Sequence, residues 1–250
     1  MRNRNRVAFF GNGISYDKDV TLMGGIAVKQ AMITSLFVLL LTGCSFLSIQ
    51  PTIEESNSIT EKTSTATKEI SEDEHNAYYN SPQVTDDSTL QKPGQSVTDE
   101  KGEATLKAIQ PINKVFHFGD IEYTIKEMKL LHYRPDYSLI DYFHPLTDAE
   151  EFDFIKISVD IKNHSKEKRK FAPVALLETN TGMKMDWKQD MYLEHLNGEI
   201  DGSKIKRGSL GFIVDQAQGN RIKWIKILTS DVFNEQQERL EEAQKIQLNF

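Results

Sequence analysis

The sequence predicts an all-β fold for residues 109–250: two antiparallel sheets stacked as a sandwich, with a short C-terminal helix. Three observations carry this. The stretch FDFIKISVDIKN at 152–163 alternates, with Ile155, Ile157, Val159 and Ile161 on one side and Lys156, Ser158, Asp160 and Lys162 on the other, the period of a strand with one buried and one wet face. Turn-forming residues separate the apolar runs, Gly119-Asp120 and Thr179-Asn180-Thr181-Gly182 among them. Strand and helix patterns do not alternate, as the crossovers of a parallel sheet require.

Along the chain, Val115, Phe116 and Phe118 form a strand that turns at Gly119-Asp120 into a longer one through Ile121, Tyr123, Ile125, Met128 and Leu130. The 152–163 strand follows and ends at Asn163, where a turn is easy. Further strands are expected at 172–177, 183–187, 209–214, 222–228 and 246–250, about seven or eight in all, with Trp187 and Trp224 as core or sheet-face residues. Asn234 and Gln237 have the spacing of a capping pair at the head of NEQQERLEEAQ, with Leu240 and Ala243 on one side, so the short helix is expected there.

The 250 residues carry a net charge of −7, unevenly spread. Residues 51–108 hold twelve acidic and five basic side chains, against twenty-three and twenty in 109–250, where most of the aromatic residues also lie. This acidity weighs against a nucleic-acid partner. From 45 to 107, Ser, Thr, Asp and Glu dominate, the apolar residues follow neither period, and Pro93-Gly94 adds a breaker, so the stretch cannot bury enough surface to offset chain entropy. Residues 44–108 are therefore expected to be a disordered acidic tether, with an r.m.s. span on the order of 45 Å. Tyr78-Tyr79 within it reads as spacer or as a short recognition motif.

A single cysteine excludes an internal disulfide, and no Cys/His spacing fits a zinc site. Cys44 follows the apolar run 31–43, too short to span a bilayer but of signal-peptide length, with Lys29 as its positive flank. Leu41-Thr42-Gly43-Cys44 resembles the lipobox of bacterial lipoproteins. The resemblance implies that residues 1–43 are a lipoprotein signal peptide, that cleavage falls before Cys44, and that its thiol carries a diacylglyceryl anchor on the extracellular face of the cell membrane. Gly24-Gly25 can be encoded by a ribosome-binding sequence just ahead of a possible start at Val28, so residues 1–27 are either an unusually long leader or lie upstream of the true start.

A second resemblance covers about residues 112–228. The Gly119-Asp120 entry with Tyr123 and Ile125, the strand from Ile155 to Ile161 closed by Asn163 and Ser165, Phe171 and Pro173, Gly182, and IKRGSLGFIVD from Ile205 resemble, in their order, the telokin-like, immunoglobulin-like domain of unknown function of Gram-positive lipoproteins. The resemblance implies an immunoglobulin-like β-sandwich and a surface location, and no reaction. The insertion 134–150 and the C-terminal helix depart from the simple pattern.

No nucleophile elbow, phosphate-binding glycine loop, HExxH or EF-hand spacing is present, and no catalytic residue or cofactor is assigned. The insertion and its flank are rich in aromatic residues: Tyr133, Tyr137, Tyr142 and Phe143 read as a partner-binding loop or as cover for the core. His132, Asp141 and His144 could meet around a metal, although lone histidines at strand ends are more often hydrogen-bonded surface groups. Lys166, Lys168, Arg169 and Lys170 suit anionic wall polymers or lipid headgroups, or simply a solvated hairpin tip. The expectation is a membrane-anchored module that binds a protein, peptide or cell-wall ligand without catalysis. The alternative is a metal- or small-ligand-binding lipoprotein, or an enzyme, built on residues 132–144.

Overall fold

The computed structural model describes residues 77–250. Strands β1 (Ser96–Asp99), β2 (Gly102–Phe118), β3 (Ile121–Pro135) and β4 (Phe152–Asn163) are followed by β5 (Arg169–Phe171), β6 (Leu176–Thr179), β7 (Lys184–Asp186) and β8 (Gly198–Ile200). The long β9 (Ile205–Val214) leads to β10 (Trp224–Leu228), β11 (Val232–Phe233), β12 (Arg239–Glu241) and β13 (Lys245–Asn249). They form a five-stranded sheet in the order β1-β2-β3-β4-β9 and two four-stranded sheets, β13-β10-β6-β7 and β12-β11-β5-β8, with every pairing antiparallel. The fold is the all-β, antiparallel sandwich predicted from the alternation.

The main core lies between the large sheet and the two smaller ones. Ile155, Ile157, Val159 and Ile161 of β4, with Ile121, Tyr123 and Ile125 of β3, pack against Phe171, Leu177, Ile200, Ile225, Ile227 and Ile246. Antiparallel register joins Ile125 to Val159 and Ile155 to Phe212, so one face of three adjacent strands is continuously apolar. A second apolar cluster sits on the opposite face at one end: Ala104, Leu106, Leu131, Tyr133, Phe152 and Phe154, together with Val84, Leu90 and Phe143.

Three expectations need correction. The folded region begins well before residue 109: β1 and the first part of β2 lie upstream, and Val84 and Leu90 are core residues. Residues 77–108 are thus part of the domain, because their few apolar side chains meet a sheet face that was expected to be wet. Strand β2 continues through Pro111 with register shifts between Leu106 and Ala108 and between Pro111 and Lys114, bulges that accommodate a residue without an N–H donor. No helix forms at 234–244; the Asn234–Glu238 turn closes a hairpin between β11 and β12, with the Asn234 side chain accepting from Glu238 N at 2.9 Å. The one-turn helices are elsewhere, at Ile140–Phe143 and Gln216–Gly219.

Candidate functional site

Even-numbered positions of β4 run from apolar to polar along the second face: Phe152, Phe154, Lys156, Ser158, Asp160. Register places Lys129 of β3 directly beside Lys156, and Ser209 of β9 beside Ser158. Two ammonium groups so placed repel each other unless an anion sits between them. The segment 77–92, here called the strap, supplies one. The Asp87 carboxylate accepts from Lys129 Nζ at 2.9 Å and from Lys156 Nζ at 2.5 Å, and the Asp87 carbonyl accepts a further bond from Lys129 Nζ at 2.9 Å. All three residues are buried. Lys156 and Ser158, expected on a solvated face, lie beneath this cover.

Tyr79 completes the enclosure. Its ring centroid is 4.3 Å from Lys156 Nζ and 5.2 Å from Lys129 Nζ, and its hydroxyl donates to Glu127 at 3.0 Å. Glu127 also lies 3.4 Å from Lys129 Nζ. Burial pushes the Asp87 carboxyl up, but the charges and hydrogen bonds of Lys156 and Lys129 prevail and hold it below the ordinary range. Elsewhere the strap is stitched down by polar contacts: Ser209 Oγ donates to the Tyr78 carbonyl at 2.9 Å, Tyr133 Oη to the Gln83 carbonyl at 3.1 Å, Lys101 Nζ to the Ser81 carbonyl at 3.0 Å, and Thr85 Oγ1 to Asp99 at 2.8 Å. The Tyr78 hydroxyl donates to Asp160. Tyr78-Tyr79, read as spacer or recognition motif, is therefore a structural clamp within the domain.

The edge strand β9 is covered by the segment after β7. Met191 N donates to the Gly211 carbonyl at 2.8 Å, while Asp190 accepts from Gly211 N and Glu194 from Ser209 N, each at 2.9 Å. Carboxylates thereby occupy the places of carbonyls on a neighbouring strand. Glycine is required for this fit: a Cβ on Gly211 would stand 2.6 Å from the Tyr192 ring, and one on Gly208 would collide with Glu194. Burial pushes the Glu194 carboxyl up to about 7 and that of Asp190 up to about 6, against the lowering effect of the backbone donors.

The expected site residues divide. Cys44, Leu41, Thr42 and Gly43 lie outside the described residues. Tyr133 and Phe143 are buried in the second apolar cluster, edge-on to each other with ring centroids 5.9 Å apart. Tyr142 is half-buried and donates to the Met191 carbonyl at 2.7 Å. Of the four aromatic residues of the insertion and its flank, three are thus core or core cover, and Tyr137, 88% exposed, faces solvent. His132 is not brought to Asp141 and His144. It pairs with Asp153 at 3.0 Å, while Asp141 and His144 pair with each other on the surface at 3.4 Å. Among the described residues no group of three His, Cys, Asp or Glu side chains could hold a metal. Three members of the basic cluster are ion-paired: Arg169 contacts Asp120 and Glu167, and Lys168 and Lys170 contact Glu199.

No family model matches the chain. The chain is similar to a functionally unknown protein from Listeria monocytogenes EGD-e, with a TM-score of 0.44 and 16% identity over 60% of this chain and 88% of that one. A conserved hypothetical protein from Bacillus anthracis gives a TM-score of 0.34 and 16% identity over 54% and 95% of the two chains. The chain is 46% identical over 236 residues to the uncharacterized protein YdhF of Bacillus subtilis (strain 168), spanning 89% of this chain and all of the relative. The chain belongs to the YdhF family.

Proposed function

We propose that this protein is a lipoprotein of the Gram-positive cell envelope, held at the extracellular face of the membrane by a lipidated Cys44, with a sandwich that acts as a non-catalytic binding module. The carrying observation is the order of the chain: an apolar run, the Leu41-Thr42-Gly43-Cys44 motif, a polar acidic stretch, and then a domain whose first residues are fixed by polar contacts. A second acyl chain turns marginal membrane binding into stable anchoring, which gives the lone cysteine a purpose that packing does not. Within the domain, the charged side chains of the second face are occupied in holding the strap, which suits a rigid display scaffold better than a reaction centre.

The test is mass spectrometry of the N-terminal peptide from membranes, beside a Cys44→Ala variant. A peptide beginning at diacylated Cys44, with the variant released or left unprocessed, is the expected result. A chain that retains its apolar run with an unmodified thiol overturns the anchor.

A further inference from the structure

The insertion between β3 and β4 buries Phe143 and half-buries Tyr142 but turns Tyr137 outward. The Asp136 side chain fixes that presentation, accepting from Ser138 N at 2.9 Å and from Ser138 Oγ at 2.7 Å at the head of the turn Tyr137–Leu139. Among the described residues, the Tyr137 ring meets no other aromatic ring and no cation, and its hydroxyl holds no hydrogen bond. A whole aromatic face is therefore offered to solvent on a short, braced turn.

Tyr137 lines a cavity of about 230 Å³ together with Arg134, Pro135, Ile140, Glu150 and Glu151. Three of these are apolar or aromatic and three are charged. Arg134 is already engaged, its Nη2 donating to Glu103 at 2.7 Å. Glu151 has weak neighbours: Gln216 Nε2 donates to it at 3.5 Å, and His132 Nε2 stands 3.8 Å away while its other ring nitrogen bonds Asp153. Glu150 has neither an ion pair nor a hydrogen bond among the described residues. No lysine or arginine thus meets either glutamate, whereas Asp87, Asp153, Asp160 and Glu199 each have one. The rest of 134–151 adds Asp136, Asp141 and Asp148, all exposed, which makes five carboxylates against one arginine; His144 pairs with Asp141.

We propose that this cavity docks a basic peptide segment and takes one of its arginine or lysine side chains. The cation lies over the Tyr137 ring and is shared by the Glu150 and Glu151 carboxylates, and its methylene stem covers Ile140. Charge complementarity selects this occupant. An anion would meet two carboxylates with Arg134 already held by Glu103, and a neutral sugar would desolvate both carboxylates without supplying a counter-charge. Tyr137, Glu150 and Glu151 are all exposed as they stand, so the site needs no rearrangement to receive the side chain. The cavity suits a single side chain, and the remaining residues of the segment run over the acidic surface of the insertion. The inference rests on the binding-module reading and names the partner class for it.

The experiment uses the full chain in non-ionic detergent micelles with ¹³C-labelled tyrosine rings, eight in all, the Tyr137 signal being assigned with Tyr137→Phe. N-acetyl-L-arginine methylamide is the probe, with N-acetyl-L-glutamine methylamide and methyl α-D-glucoside as comparisons. The expected result is a saturable shift of the Tyr137 ring with the arginine probe, half-maximal in the range of about 1–10 mM as befits so small a molecule. The double variant Glu150→Gln, Glu151→Gln weakens it roughly fivefold, and so does raising the salt, because the carboxylates are exposed. Both substitutions lie on the surface, and unchanged signals of the buried Tyr123 and Tyr133 rings show that the variant is folded. If the glutamine analogue or the glucoside shifts Tyr137 as strongly, the cationic class is wrong. If the Tyr137 signal moves with protein concentration before any probe is added, the occupant is a second copy and the peptide reading falls. If Tyr137 stays still while other rings respond to the probe or to soluble cell-wall fragments, this site is wrong and the binding module stands; no response anywhere overturns the site and counts against the module as well.

Discussion

Replacing Asp87 by Asn tests the reading of the strap most directly. Asp87 is the anion between two buried ammonium groups that strand register forces side by side. Removing one partner from a buried charged cluster leaves the remainder uncompensated, at a cost of about 3–5 kcal/mol. Asn keeps the shape and one acceptor, and Glu127, 3.4 Å from Lys129, offsets part of the charge. The lower end, about 3 kcal/mol, is expected, a change of roughly 150-fold in the folded-to-unfolded ratio. Urea titration at pH 7 measures it. Because the Asp87 carboxyl titrates below its ordinary value of 3.8, its contribution is complete above that pH and disappears as pH falls through the lower folded value. The variant should therefore lose the corresponding part of the acid-denaturation limb below about pH 4. The triple replacement Asp87→Leu, Lys129→Met, Lys156→Leu supplies the complementary arm, since an ion cluster exchanged for apolar groups of similar volume is often neutral. A loss below about 1 kcal/mol for Asp87→Asn, or a triple variant no more stable than the single, would show that the cluster does not hold the strap.

Two further predictions concern buried polar groups elsewhere. Burial raises Glu194 from 4.5 to about 7 and Asp190 from 3.8 to about 6, so the native state binds more protons than the unfolded chain between these values. Stability should thus fall as pH rises from about 4.5 to 7, by about 2 kcal/mol once partial exposure and coupling are allowed for. Glu194→Gln, which keeps an acceptor for Ser209 N, should remove much of that slope in urea midpoints taken across the window; a flat or rising profile in the parent protein would refute it. Tyr123 Oη is fully buried in the main core without a partner, so Tyr123→Phe is expected to raise stability by about 1 kcal/mol, read from thermal or urea unfolding, and a loss of that size would mean the hydroxyl is bonded.

Strand β4 was legible from sequence because its odd positions are four β-branched residues in step, and the turn at Gly119-Asp120 fixed the start of β3 for the same local reasons. The even positions misled. Lys156 and Ser158 carry no sign in themselves of being buried; Lys156 is covered by Asp87, sixty-nine positions away in the chain. Conversely, 77–108 read as tether because Val84, Leu90, Ala104 and Leu106 are too sparse to show a period, although each meets an apolar partner. A lysine placed beside Phe152 and Phe154 in the same strand was the available signal that the second face changes character along its length. The insertion failed differently: aromatic loops that bind and aromatic loops that cover a core have the same composition, and only packing distinguishes Tyr137 from Tyr133, Tyr142 and Phe143. The C-terminal helix failed because a capping pair is also a turn pair, and Asn234 bonds to Glu238 across a hairpin as readily as it caps a first turn.

The strap is fastened mainly by directional bonds, and that matters for an anchored domain. An apolar strap can slide by one position and keep most of its burial, whereas a carboxylate held between two ammonium groups, with carbonyls at Tyr78, Ser81 and Gln83 each meeting a named donor, admits one register. Its attachments fall on β3, β4 and β9, and at its far end on Asp99 of β1 and Lys101 beyond it; β3 and β4 are each paired on both sides within the large sheet. In the proposed arrangement the membrane anchor lies on the N-terminal side of the strap, so a pull on the chain first meets the Tyr78 contacts, which are shared between Asp160 of β4 and Ser209 of β9. The segment 187–197 rests on the outer edge of β9. The two sides of β9 are thus held differently: its neighbour β4 shares the strap, and its outer edge is bonded by Asp190, Met191 and Glu194.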